Sequence, residues 1–414
     1  MTGKKVIVVG AGAAGMMAAG TAAGLGASVT LLEKNHRVGR KIMITGKGRC
    51  NILNNCDASA FINNVPVNGR FLYSAINSFT PSDTYEFFEG LGLPLKTERG
   101  NRVYPQSDKA VDVVDTLRRF VLDSGVKIVN DTAESLVLEN GEAVGVKGRE
   151  QTYFADSVII CCGGKSYPLT GSTGDGYILA EQAGHTITEL KPSLVPLESP
   201  DPECKSMQGL SLRNVALKII DNSNSKTVYS DFGEMLFTHF GLSGPMVLSA
   251  SSHLRGVTDG RYTASIDLKP ALDSEQLDKR LQRDFSENIN RDISNAFAKL
   301  LPRKMIVPVL KRWGLPFDKK CNSVTREERR RLCGLLKNFT VPISGFRPIE
   351  EAIVTSGGVK TSEIDPGTME SKLVSGLFFA GEVIDVDAYT GGFNLQIAWS
   401  TGRLAGENSA YYSE

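Results

Sequence analysis

A strand, a glycine-rich turn and a helix open this chain and leave it few folds to choose from. Val6-Ile7-Val8-Val9 is an unbroken apolar run, and Gly10-Ala11-Gly12-Ala13-Ala14-Gly15 follows it. An apolar helical stretch then leads to a second strand, Ser28-Val29-Thr30-Leu31-Leu32, which ends on Glu33 and Lys34. In a βαβ unit of this form the first glycine permits the tight turn, the second lets the backbone approach a pyrophosphate, and the third lets the helix close on the strand. The helix N-terminus, beginning near Ala13 and Ala14, offers free N–H groups and a partial positive charge to phosphate. Glu33 stands eighteen residues after Gly15, where a carboxylate accepts hydrogen bonds from both ribose hydroxyls. NAD and the ADP half of FAD both satisfy the unit.

A length of 414 residues exceeds one ordinary core and divides into two or three units. Lys and Arg number 47 against 46 Asp and Glu, a net charge of +1. That balance argues against a large polyanion-binding surface, so no nucleic-acid partner is expected. The one basic run, Thr325-Arg326-Glu327-Glu328-Arg329-Arg330-Arg331, is broken by two glutamates and reads as a solvated helix face. Seven scattered cysteines suggest a reducing compartment, and the absence of a leader or a membrane-length apolar run makes the expected location cytoplasmic. His36, His185, His239 and His253 lie far apart without ligand spacing, so no metal is expected.

After Glu33 comes Gly39-Arg40-Lys41-Ile42-Met43-Ile44-Thr45-Gly46-Lys47-Gly48-Arg49-Cys50-Asn51, with four cations in ten residues. Glycines allow close approach and cations supply charge-assisted hydrogen bonds, so the loop suits a diphosphate; an ordinary basic surface loop is the plainer alternative. The segment resembles the signature of the BaiN-like flavoproteins, the family that also includes aminoacetone oxidase. The resemblance implies FAD contacts at Arg40, Lys41, Gly46, Gly48, Arg49, Cys50 and Asn51. Cys50 lacks a CxxC partner and reads as a packed or backbone-contacting cysteine.

Helical periodicity runs from Phe71 to Gly92, and Arg102-Val103-Tyr104-Pro105 is a further element similar to that family. Asn140-Gly141 turns a hairpin of residues 134–138 and 143–147. In FAD proteins of this build the residue near Ala133 meets the adenine through its backbone. The buried strand of residues 155–162 ends on Gly163-Gly164, small residues that let the backbone pass close to a cofactor. Its Cys161 and Cys162 point to opposite faces, against a vicinal disulfide. Ser166-Tyr167-Pro168-Leu169-Thr170-Gly171 matches the same family, as does Leu236-Phe237-Thr238-His239-Phe240-Gly241.

Rhythm changes at Lys191-Pro192, giving an FAD-binding domain over 1–191, a β-rich insert over 192–270, a helical insert over 271–342, and a return to the first domain over 343–414. In the return, Gly376-Leu377-Phe378-Phe379-Ala380 is a strand and Gly381-Glu382 follows. Gly391-Gly392 opens a helix from Asn394-Leu395 to Gly402, whose N-terminus can stabilise negative charge on a reduced flavin. An NAD domain has no need of this second strand-glycine-helix, which decides for FAD. The expected fold class is α/β, an FAD-binding Rossmann-like domain of the glutathione-reductase type with an irregular β unit and a helical insert.

The resemblance implies an FAD-dependent oxidoreductase acting on CH–CH bonds, with NAD(P)H reducing conjugated C=C bonds of 3-oxo bile-acid intermediates during 7-dehydroxylation. Tyr167, Tyr104 and His239 are the candidate catalytic proton donors. No second GxGxxG is present, so NAD(P)H is expected as a transient co-substrate. The alternatives are an oxidase of a small amine such as aminoacetone and a flavin-bearing RNA-associated protein.

Overall fold

In the computed structural model, which describes residues 3–411, the chain divides into two compact units, Met1–Ser193 with Pro348–Glu414, and Leu194–Arg347. The first is built on five parallel strands, β1 (Lys5–Val9), β2 (Ser28–Leu32), β3 (Lys127–Val129), β4 (Ser157–Ile160) and β5 (Leu377–Phe379), in the order β5-β4-β1-β2-β3. Val6 of β1 pairs with Val29 on one side and Ser157 on the other. Val6, Ile7, Val8 and Val9 are all buried. A strand covered on both faces reads as a continuous apolar run, and this one does.

Two helices fix the unit. Helix α1 (Ala13–Gly24) follows β1 and has the composition AAGMMAAGTAAG, small enough to be approached from several sides. Helix α2 (Phe393–Ala410) lies against it. A Cβ added at Gly402 would sit 2.5 Å from the carbonyl oxygen of Ala14, and one at Gly406 would sit 2.5 Å from that of Ala18. These glycines are therefore the points at which two helix backbones touch. The expected stop at Gly402 is corrected: the helix runs through it to Ala410, because the glycine packs against α1 instead of ending the turn.

The helical stretch of residues 71–92 is interrupted once. Thr80 caps the helix Pro81–Gly90 in a reciprocal box with Asp83, which separates it from Tyr73–Ser78. The hairpin is Ala133–Glu139 against Glu142–Gly148, turned at Asn140 and Gly141.

The second unit holds a seven-stranded antiparallel sheet and the helices Ser274–Glu287, Arg303–Trp313 and Arg326–Lys337. Sheet residues such as Leu217, Ile266 and Val341 share one core with Leu281, Trp313 and Leu332 of the helices. Among the described residues no helix is long and apolar enough to cross a membrane.

Gly406→Val should lower the stability of the protein by about 1–3 kcal/mol, since neither backbone can yield without moving the other. Gly24→Ala is the control, because its Cβ meets nothing within 4 Å. Thermal melting of both variants checks the contrast.

Candidate functional site

The residues expected to hold a nucleotide gather where parallel strands end, the place at which open α/β sheets bind ligands. Gly10 follows β1 with φ of +99°, and its N–H donates to the Leu32 carbonyl at 2.8 Å. A Cβ on Gly15 would fall 1.8 Å from the Gly10 oxygen, so no other residue fits there. Gly12 differs from both. Its φ is −82°, open to any residue, and its Cβ would meet nothing within 4 Å. Gly12 thus keeps open the approach to the first turn of α1, around Ala13 and Ala14, where no side chain caps the N–H groups.

Glu33 is held at the tip of β2. One carboxylate oxygen accepts from the Ala11 N–H at 2.8 Å, and the other accepts from the N–H and Nδ2 of Asn35 at 2.8 and 2.6 Å. Beside it, Lys34 pairs with Asp175 at 2.6 Å. Lys34, Asn35, Ala133 and Arg149 share the wall of a cavity of about 560 Å³. The structure therefore brings Lys34 and Ala133, almost a hundred residues apart in sequence, to one depression next to Glu33.

The loop from Gly39 begins as a short helix, Arg40–Ile44, and then bends sharply. Gly46, Lys47, Gly48 and Cys50 all take left-handed backbone, with φ of +56°, +59°, +83° and +59°. For Lys47 and Cys50 that conformation is strained, and such strain is held only where the surroundings enforce it. Cys50 is buried, and burial pushes its thiol up to about 12, so it is not a thiolate nucleophile at neutral pH. Asn51 Oδ1 is buried with no hydrogen-bond donor among the described residues, which fits a donor from a bound group.

Three basic residues of the loop have protein partners. Arg40 donates to Asn35 Oδ1 at 2.6 Å. Arg49 donates to Asp108 at 2.7 Å, pairs with Glu98 at 2.5 Å, and lies 4.1 Å above the Tyr104 ring. Arg49 holds the Glu98 carboxyl below its usual range, and Lys96 followed by Arg49 does the same for Asp108. Lys41 donates to Ser166 Oγ and to Glu382, each at 2.6 Å. Ser166 Oγ lies 3.1 Å from Glu382, whose Oε1 also accepts from the Thr355 N–H at 2.9 Å. This cluster joins the ends of β4 and β5, next to Gly163 and Gly381, which have φ of +73° and +77°.

Gly392, with φ of +100°, starts α2, and its Cβ would fall 2.3 Å from the Leu53 carbonyl carbon. Asn394 ties the preceding loop by accepting from the Ala388 N–H at 2.9 Å and donating to the Ala388 carbonyl at 2.8 Å. Leu395 is half-buried behind it.

The three expected proton donors are divided between the units. Tyr104 is buried under Arg49. Tyr167 is half-buried with φ of +52°, in the same unit. Burial, followed by the charge of Glu351, raises the Tyr167 phenol above its usual value. His239 is exposed and belongs to the second unit. Sequence reasoning did not single out Ser166, Thr355, Glu98 or Asp108 as part of these clusters. Their partners lie dozens to hundreds of residues away, so spacing carries no signal.

A family model described as HI0933-like protein Rossmann domain matches residues 4–408. The chain belongs to that family. It is 31% identical over 411 residues to the 3-dehydro-bile acid delta(4,6)-reductase of Clostridium scindens, covering 98% of this chain and 99% of that protein. It is also 31% identical over 405 residues to the ribosomal RNA dihydrouridine synthase of Escherichia coli (strain K12), covering 95% of each. The solved 3-ketosteroid delta1-dehydrogenase from Sterolibacterium denitrificans shares the fold at a TM-score of 0.52 and 13% identity, over 99% of this chain and 100% of that one. The family is the one to which the motifs pointed, and the chain is a flavoprotein oxidoreductase with a Rossmann-type FAD-binding unit.

The open space at Gly12 and the unpartnered Asn51 fit FAD. Gly12→Val should keep the fold, since its backbone suits any residue, and should abolish FAD retention on gel filtration as read by visible absorbance. FAD kept at full occupancy in this variant would contradict the role given to the turn.

Proposed function

We propose that this chain is an FAD-dependent reductase of carbon–carbon double bonds conjugated to a carbonyl, with NAD(P)H as transient hydride donor and a 3-oxo steroid-like enone as its small-molecule substrate class. One observation carries the reading: the chain resembles, almost end to end and to the same degree, two proteins whose names describe the same bond chemistry. A delta(4,6)-reductase of a 3-dehydro bile acid saturates alkenes in conjugation with the 3-oxo group. Forming dihydrouridine saturates the uracil C5=C6 bond, which is conjugated to the C4 carbonyl.

In this reading the Gly10–Gly15 turn takes the diphosphate, Glu33 the ribose hydroxyls, and Lys34 and Ala133 the adenine side. Arg40, Lys41, Gly46, Gly48, Arg49, Cys50, Asn51, Gly163, Gly381 and Glu382 continue the binding surface toward Gly392, Asn394 and Leu395. Bound FAD supplies the hydride-transfer chemistry. The chain supplies a donor that polarises the substrate carbonyl and an acid that protonates the α-carbon. Tyr167 is the first choice for a donor, because it is only half-buried in the nucleotide-binding unit whereas Tyr104 is buried beneath Arg49, and its raised phenol stays neutral at neutral pH. Tyr104 and His239 complete the set to be tested.

Under anaerobic conditions NADH or NADPH should bleach the flavin absorbance, and a 3-oxo-4-ene bile acid should restore it. Bleaching by aminoacetone and restoration by air alone would replace this reading with an amine oxidase. Tyr167→Phe should slow restoration by about 10²–10⁴ without releasing FAD. Because the phenol is raised, the neutral donor persists as pH increases. The wild-type rate should therefore stay level across neutral pH and fall only above the ordinary tyrosine value of about 10.

A further inference from the structure

A buried cluster of titratable side chains stands apart from the nucleotide-binding residues, at the outer edge of the parallel sheet. Strand β5 is the outermost of that sheet, with β4 as its neighbour. Its other edge is covered by residues 361–374, which fold back on it. The Ser371 N–H donates to the Leu377 carbonyl at 2.7 Å, and the Phe379 N–H donates to the Met369 carbonyl at 3.0 Å. An uncovered edge would present unpaired backbone groups, so this segment completes the sheet. Met369 within it is buried and takes left-handed backbone, with φ of +66°. A methionine keeps that conformation only where its surroundings enforce it.

The cluster is centred on His185, which follows the helix Asp175–Gln182 and whose side chain is wholly buried. Its Nε2 lies 2.8 Å from Ser371 Oγ and its Nδ1 lies 3.3 Å from Glu363 Oε2. The ring meets Phe379 of β5 edge to face, with centroids 4.8 Å apart. Ser371 Oγ also accepts from the N–H groups of Leu373 and Val374, each at 3.0 Å. Both its lone pairs are then occupied, which assigns its O–H as donor to Nε2 and the ring proton to Nδ1. That proton faces Glu363 without an aligned hydrogen bond. Serine, imidazole and carboxylate in this order resemble a hydrolytic relay, but a buried Ser371 with a filled oxygen is not placed to attack a substrate. Glu363 Oε2 is fixed by the Thr186 N–H at 2.8 Å. Other charges of the segment are engaged elsewhere. Lys372 Nζ donates to the Ser362 carbonyl at 3.2 Å, Glu370 Oε1 accepts from the Gly376 N–H at 2.8 Å, and Asp365 Oδ1 accepts from the Gly367 N–H at 2.7 Å.

We infer that His185 is an acid-sensitive latch: the neutral ring holds residues 361–374 on β5 through Ser371, and the protonated ring releases them. A second ring proton would sit on Nε2 and point at an oxygen with no lone pair left. To receive it, Ser371 must give up the Leu373 or the Val374 N–H, and the turn that follows Ser371 opens. The contacts that hold Met369 in its strained backbone loosen with it. Burial holds the imidazole below its ordinary range, against the opposing pull of Glu363. Burial acts upward on the Glu363 carboxyl, but its hydrogen bonds with Thr186, and then the charges of His185 and Lys360, keep it below its usual range. Glu363 therefore stays ionised while the imidazole titrates. The closed state binds the proton more weakly than the open one. The latch is thus complete above the ordinary histidine value of about 6.5 and is lost as pH falls from there toward the lower value of the buried ring. The device is independent of the reductase reading.

The test is hydrogen–deuterium exchange of the full FAD-loaded chain, read by mass spectrometry on a peptide spanning residues 361–375 and corrected at each pH for the intrinsic amide rate. Opening of the segment should grow by up to about ten-fold for each pH unit below about 6.5 and then level off. His185→Phe keeps a ring against Phe379 and has no nitrogen to titrate, so this rise should vanish. Glu363→Gln keeps an acceptor for the Thr186 N–H and removes the charge that favours the imidazolium, so the rise should continue to lower pH before it levels. His253→Phe, at a half-buried histidine of the second unit that burial also holds below its ordinary range, should leave the rise unchanged. Opening that stays constant across the range, or that rises equally in wild type and His185→Phe, would overturn the inference. A Glu363→Gln profile identical to that of wild type would overturn it as well.

Discussion

The nucleotide unit depends on how closely three backbones meet. The Gly10 turn, the first helix and the last helix approach one another within distances that no side chain tolerates, as the Gly15, Gly402 and Gly406 positions show. Dense packing of this kind transmits any displacement, so the turn and the two helices hold one another in place. Gly12 is the exception in the same turn, with free space where the others have none. In the proposed reading that space is where the diphosphate of FAD approaches the turn.

Much of this could be read from residues alone. The apolar run at Val6–Val9, the glycine spacing and Glu33 specify a local unit whose parts are adjacent in sequence. The hairpin at Asn140-Gly141 was equally legible, because its turn chemistry is local. The length of the last helix was not. Gly402 and Gly406 look like interruptions until the facing Ala14 and Ala18 carbonyls are known, and those approaches are long-range. Arg49 shows the same limit: motif resemblance aims it at a cofactor, while Glu98 and Asp108, 49 and 59 residues away, take its hydrogen bonds.

Net charge has a related limit. A sum over the chain assumes one surface, and this chain has two units of opposite sign. Division by unit turns a near-neutral protein into an acidic nucleotide-binding unit and a basic second unit of sheet and helices.

The measurement closest to the central claim removes the question of the natural electron donor. The FAD-loaded chain is reduced with dithionite without air, mixed with a 3-oxo-4-ene bile acid or with uracil-containing RNA, and the products are weighed by mass spectrometry after a single turnover. The expected result is the gain of two hydrogens at the conjugated double bond of one substrate, in step with return of the oxidised flavin spectrum. Both substrates recovered unchanged, with the flavin reoxidised only on admission of air, would contradict the reductase assignment.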